Sequence, residues 1–125
     1  MLVIGGGAAG LMAAVSVAEA GADVTLLERN EKLGKKIYIT GKGRCNLTNA
    51  CDPDTFRKNV VKNPRFLYSA LDALPPEGLI AWMERHGCPV TVERGQRAFP
   101  RSQKASDVTR AFERELRRLG VRIML

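Results

Sequence analysis

The sequence predicts an α/β fold: a doubly wound parallel sheet, interrupted between its second and third strands by a mainly helical insertion. Three observations predict it. Short apolar runs stand at Leu2–Ile4, Val24–Leu27 and Val121–Leu125; a small-residue helical stretch opened by glycines joins the first two; and 91 residues, Asn30 to Gly120, separate the second from the third. The 125 residues suffice for one modest domain, which buries roughly two-thirds of its unfolded surface. With 45% apolar and 26% charged residues, the balance is globular. It excludes disordered, collagen-like and coiled-coil chains.

Each element follows from local chemistry. Leu2-Val3-Ile4 ends at Gly5-Gly6-Gly7 and reads as a buried strand entering a tight turn. From Ala8 to Ala20, Leu11, Ala14, Val15 and Ala18 fall on one helical face, and Gly21 sits where a C-terminal cap belongs. Val24 to Leu27 forms the second strand, ending at Glu28, which completes a βαβ unit of ordinary size. Arg29 to Asn49 is polar, basic and glycine-bearing, mostly loop with a short helix start. Asp52-Pro53 pairs an N-cap with a proline at the first helical position, and Asn63-Pro64 repeats the signal. The second of these opens an amphipathic helix through Phe66, Leu67, Ala70, Leu71 and Leu74. A further helix follows Pro75-Pro76 and stops at His86-Gly87, with Trp82 and Met83 on a buried face. Val90–Arg94 and Gln96–Phe99 make a hairpin around Gly95. Ser102 to Leu119 is helical, with Val108, Ala111, Phe112, Leu116 and Leu119 on one face and Gly120 as cap. Val121–Leu125 is a third buried strand.

Charge is uneven along the chain. The net charge is +7, yet residues 1–31 hold one base against four acids, and residues 32–125 hold nineteen bases against nine. A basic surplus fits nucleic acid, an anionic cofactor or a solvated surface. Aromatics are only 6% and no recognition motif accompanies the charge, which argues against nucleic acid. No apolar stretch approaches the ~20 residues of a membrane helix. No basic segment precedes an apolar core as in a signal peptide, so a cytoplasmic location is expected. Cys45, Cys51 and Cys88 are too few and too unevenly spaced for a disulfide scaffold, and no metal site is expected.

The chemistry concentrates in Gly5-x-Gly7-x-x-Gly10. This pattern follows a strand, opens a helix and is answered by Glu28 at the end of the next strand, eighteen residues on. Gly5 permits the tight turn, Gly7 lets backbone approach a pyrophosphate, and Gly10 lets the helix lie against the sheet. Free amides at Ala8 and Ala9 face the phosphates, aided by the helix dipole. Glu28 accepts from the ribose hydroxyls of an adenosine and repels a 2′-phosphate; Arg29 lies beside it. NAD and FAD both use this fingerprint. The long insertion, several times a normal crossover, is a habit of flavoproteins and favours FAD.

Gly34 to Asn49 resembles the "GxKxxxSGxGRCNxTN" signature of a bacterial flavoprotein family. Phe99-Pro100-x-Ser102-x-Lys104-Ala105-x-x-Val108 is similar to that family's "FPxSxKAxxV" segment. Its members are FAD/NAD(P)-binding oxidoreductases, aminoacetone-oxidase-like proteins and bile-acid reductases. This chain departs from the signature at Thr40, where serine is usual, and at Lys42, between two motif glycines. The resemblance implies a Rossmann-like FAD-binding domain whose loop from Thr40 to Thr48 runs under the flavin. Gly41 and Gly43 would permit close approach, and Lys36 and Arg44 would supply positive charge. Cys45 would be a small neutral neighbour of the cofactor, and Asn46 and Thr48 would add polar contacts. A redox role for Cys45 and Cys51 is disfavoured, because flavin disulfide reductases leave four residues between their cysteines and here there are five. His86 reads as a helix C-terminal residue rather than a catalytic one.

Residues 1–49 are thus expected to form the dinucleotide-binding βαβ unit and flavin-side loop, 50–119 the insertion and 120–125 the third core strand. The family's members are about three times longer, so the chain is expected to be the N-terminal part of a longer oxidoreductase. That enzyme would act on a small-molecule substrate, with NAD(P)H as an electron donor. No catalytic acid or base can be named from these residues. The alternatives are an NAD-binding dehydrogenase, or a non-catalytic nucleotide-binding module or remnant without flavin.

Overall fold

A computed structural model describes all residues, 1–125. Three short strands, β1 (Leu2–Ile4), β2 (Thr25–Leu27) and β6 (Arg122–Met124), form a parallel sheet in the order β1-β2-β6. The register sets Val3 beside Leu26 and Leu26 beside Ile123. These three side chains point to one face, where helices α1 (Ala8–Glu19) and α5 (Ala105–Arg118) pack on each other and close the core. Leu11, Ala14 and Val15 of α1 and Ala111, Phe112 and Leu116 of α5 are buried there. The period-3.6 stripes marked in the sequence are therefore the contact faces.

The expectation that the first and third strands are buried is corrected. Ile4 is 80% exposed, and Leu2, Met124 and Leu125 are more than half exposed. The cause is the pleat: alternate residues point to opposite faces, and the helices of this chain cover only one of them.

Between β2 and α5 the chain builds a second sheet, antiparallel, from β3 (Thr48–Asn49), β4 (Val90–Glu93) and β5 (Arg97–Pro100), in the order β3-β5-β4. The hairpin around Gly95 is as expected. The strand β3 was not expected, since two residues display no alternation. Helix α2 (Pro53–Lys58) starts as its sequence demands, with the Asp52 carboxylate accepting the Thr55 amide at 2.9 Å. The amphipathic helix expected from Asn63 is broken. Asn63 adopts a left-handed conformation (φ 53°) without capping, so Pro64–Leu67 form a 3₁₀ turn ahead of the short α3 (Tyr68–Ala73). The three-residue repeat of that turn rotates Phe66 out of the apolar stripe, leaving it 86% exposed.

Helix α4 (Pro76–Arg85) runs to His86 as expected, and its buried face is Trp82 and Met83. The His86 ring stacks on Trp82 at 4.0 Å between centroids, and its Nδ1 donates to the Trp82 carbonyl at 2.7 Å. His86 Nε2 lies 3.5 Å from the buried carboxylate of Glu115. Hydrogen bonds from Arg118, with His86 nearby, hold the Glu115 carboxyl below its ordinary range. Helix α5 begins at Ala105, three residues later than the sequence suggests, because the chain first turns through a left-handed Gln103 (φ 60°). No helix is long and apolar enough to cross a membrane.

Candidate functional site

The glycine turn is fastened before it becomes a cradle. Gly5, at φ 98°, donates its amide to the Leu27 carbonyl at 2.7 Å and so ties the end of β1 to β2. Gly7 caps α1 in an extended conformation, and no side chain covers the first-turn amides of Ala8, Ala9 and Gly10. Those amides have no intrahelical acceptor, so they are free for an anion. A Cβ built at Gly5 or Gly7 meets nothing within 4 Å, whereas one at Gly10 runs into the Gly5 carbonyl oxygen. The first two glycines face open space, and the third is the point where helix touches turn.

Glu28 stands across this cradle. Its Oε2 accepts the Gly6 amide at 2.7 Å, and its Oε1 accepts the Asn30 amide at 2.8 Å and the Asn30 side chain. The Asn30 amide first and the Gly6 amide second hold the Glu28 carboxyl below its ordinary range. The acid that closes the βαβ unit is therefore ionised and aimed at the turn.

Two clefts open on either side of the α1 N-terminus. One, of about 830 Å³, runs along the ends of β1, β2 and β6, floored by Gly5, Leu27 and Met124 and bordered by Glu28, Arg29 and Lys35. The other, about 420 Å³ and mostly apolar, lies between Ala8, Ala9 and Met12 of α1 and the loop residues Thr40, Cys45 and Asn46, with Leu79, Met83 and Phe112 behind them. Gly7 and Lys36 line both. The helix N-terminus and one lysine thus form the waist of a two-ended groove.

The loop that borders the apolar cleft is tightly wound. Gly41, Lys42 and Gly43 are left-handed, Arg44 returns to right-handed and Cys45 is left-handed again (φ 63°). For Lys42 and Cys45 this costs about 1–2 kcal/mol each. A Cβ at Gly41 would sit 3.0 Å from both the Asn46 nitrogen and the Phe99 ring, so no larger residue fits unmoved. Cys45 is buried, and burial pushes its thiol up. With its amide nitrogen facing inward, Asn46 donates to the carbonyls of Ala98 (3.2 Å) and Thr48 (3.0 Å), joining the loop to β5.

Of the residues singled out in the sequence, Gly5, Glu28 and Arg29 line the polar cleft, Ala8, Ala9, Cys45 and Asn46 the apolar one, and Gly7 and Lys36 both. Gly10 stands behind them. Gly41, Gly43, Arg44 and Thr48 line neither cleft: Thr48 pairs with Ala98 in the sheet, and Arg44 turns to Glu93. Several polar or flexible lining residues were not singled out as site residues in the sequence. Asn30 and Lys35 border the polar cleft and Met12 the apolar one, where Thr40, the expected start of the flavin-side loop, also lies. The place of Asn30 beside an acid that ends a strand was a usable signal; Lys35 and Met12 carry none.

The thiols give a direct check of this geometry. Cys51 is half-buried beside α2, while Cys45 and Cys88 are buried and the Cys88 thiol is pushed up to about 11. Cys51 alone is expected to react with a thiol reagent in the native protein, the other two only in denaturant. Mass spectrometry of the labelled peptides reads this, and native labelling of Cys45 at the rate of Cys51 would refute the closed loop.

The whole chain, residues 1–125, matches the HI0933-like protein Rossmann domain. It belongs to the HI0933-like Rossmann family. A 3-dehydro-bile acid delta(4,6)-reductase from Clostridium scindens is 41% identical over 97% of this chain, which spans 29% of that enzyme's length. A ribosomal RNA dihydrouridine synthase from Escherichia coli is 36% identical over 69% of the chain and 21% of its own length. Among solved structures, THI4 from Thermovibrio ammonificans superposes on 98% of the chain with a TM-score of 0.61 at 14% identity, the match covering 36% of that protein. This likeness shows the fold alone. The chain thus spans under a third of the length of these curated relatives.

Proposed function

We propose that this HI0933-like domain is the FAD-binding segment of a flavin-dependent oxidoreductase. The observation that carries the reading is the two-ended groove: a polar cleft with an acid and an apolar cleft meet at uncapped helix amides. A dinucleotide with a ribose at one end, a pyrophosphate at its middle and a flat apolar ring at the other has this pattern of chemistry. The residues present fit it, because Gly5 and Gly7 leave empty the space a Cβ would fill.

Glu28 would hold the ribose hydroxyls, and its charge would exclude a 2′-phosphate. The amides of Ala8, Ala9 and Gly10 and the ammonium of Lys36 would hold the pyrophosphate. Thr40, Cys45 and Asn46 would border the ring, with Met12, Met83 and Phe112 keeping water from it. The flavin would supply hydride and electron transfer, and the protein orients and tunes it. The relative named as a 3-dehydro-bile acid reductase supports a reductive enzyme acting on a small molecule. Its electrons would come from a nicotinamide nucleotide, its substrate would be a small molecule, and the remainder of its own polypeptide would supply the substrate side, in the cytoplasm.

The test is the complete gene product, purified and examined by visible absorption. Flavin bands, with FAD released on denaturation and identified by mass, are expected. A colourless protein that retains NAD would replace this reading with the nicotinamide-binding module, and a protein that binds neither would leave a non-catalytic remnant.

A further inference from the structure

The clefts leave Arg44 and the Phe99–Ala105 part of the second motif without a task, and the structure brings them together. Arg44 Nη1 donates to both Glu93 oxygens at 3.0 and 3.2 Å and to Gln103 Oε1 at 2.9 Å. Its Nε reaches the Gly41 carbonyl at 3.4 Å, and its guanidinium lies 4.1 Å over the Phe99 ring. Gln103 Nε2 donates back to Glu93 at 3.3 Å, closing the ring of contacts. Resting on the flavin reading above, we propose that Arg44 is a positioning residue: with Glu93, Gln103 and Phe99 it clamps the left-handed loop to the hairpin and so holds Cys45 and Asn46 against the cofactor cleft.

Three features argue for a clamp over a cofactor contact. The guanidinium charge is matched by Glu93, so it is not free for an anion in the groove. Arg44 lies outside both clefts, while its neighbours Cys45 and Asn46 line the apolar one. The loop and the turn that meets it also need such a device, because Lys42 and Cys45 in the one and Gln103 in the other hold positive φ without being glycine, and backbone of this kind persists only where its surroundings over-determine it. Lysine could not take over. One ammonium cannot donate to Glu93 and Gln103, reach the Gly41 carbonyl and lie flat over the Phe99 ring at once, as the extended guanidinium does.

A double-mutant cycle in the complete FAD-loaded protein tests this, with Arg44→Met, Glu93→Gln and the pair. The readouts are the FAD dissociation constant and the absorption spectrum and midpoint potential of the bound flavin. Each single variant is expected to weaken FAD about tenfold, the pair no more than the worse single, with spectrum and potential unchanged. Arg44→Lys is expected not to rescue. Gln103→Leu, a milder change made in case the others do not fold, is expected to weaken FAD about threefold on the same criteria. Additive effects, wild-type FAD affinity in Glu93→Gln, or a potential shifted by Arg44→Met alone would show that Arg44 meets the flavin directly and would overturn the clamp. A wild-type protein that holds no FAD would overturn the flavin reading itself, and this role with it.

Discussion

Replacing Gly10 with alanine is expected to cost about 3 kcal/mol of stability and to abolish cofactor retention. The new Cβ would run into the Gly5 carbonyl oxygen. Gly5 cannot step aside, because its amide is bonded to Leu27 at 2.7 Å and its φ is already 98°. Either α1 lifts from the turn or β1 parts from β2, and both movements spoil the alignment of first-turn amides. Gly7→Ala is the matching control. Its Cβ meets no protein atom within 4 Å and its φ of −80° suits any residue. Its melting temperature should stay near wild type while FAD affinity falls, because the methyl stands where the pyrophosphate would approach. Chemical denaturation and FAD titration of both variants separate the two roles. A Gly10→Ala protein as stable as wild type would refute the close contact between helix and turn.

The difference between those glycines was legible in the sequence because the βαβ unit is a local object. Strand, turn, helix and acid lie within 28 residues, and each is marked by its own chemistry: β-branched residues, glycines, a 3.6 period and a carboxylate. The helices α4 and α5 and the hairpin were legible for the same reason. What misled was length and distance. A three-residue strand is too short to display alternation, so Leu2 and Ile4 looked like their neighbour Val3, and only the placement of α1 and α5 decides which face is covered. Asn63-Pro64 carries the same signal as Asp52-Pro53, but the two asparagine and aspartate backbones part company. Asp52 stays extended and caps, while Asn63 goes left-handed and leaves a 3₁₀ turn. The partners of Arg44 are 49 and 59 residues away. No pattern in a loop of its own sequence names Glu93 or Gln103 as the place its charge goes. Local chemistry therefore reveals which residues crowd around the groove, and long-range pairing decides which of them face into it.

Glu28→Ala is expected to weaken FAD binding by tenfold or more through two routes that a second variant can divide. The direct route is loss of an ionised acceptor for the ribose. The indirect one is release of the Gly6 amide and of Asn30, both of which the carboxylate now holds. Glu28→Gln keeps one acceptor oxygen for either partner but removes the charge. If the turn is the main beneficiary, glutamine restores most of the affinity; if the ribose is, glutamine remains close to alanine. The acid also predicts a pH dependence. Its folded pKa lies below the ordinary 4.5 because the charged form accepts backbone amides. Its contribution is then complete above pH 4.5 and is lost as the pH falls through the lowered folded value. FAD affinity of the wild type, which is set by the folded carboxyl, should accordingly hold steady to below pH 4.5 and decline only as the lowered folded value is passed, whereas Glu28→Ala should lack that part of the decline. Glu28→Ala with wild-type affinity at neutral pH would remove the acid from the site, and the polar cleft would lose its claim to the adenosine end.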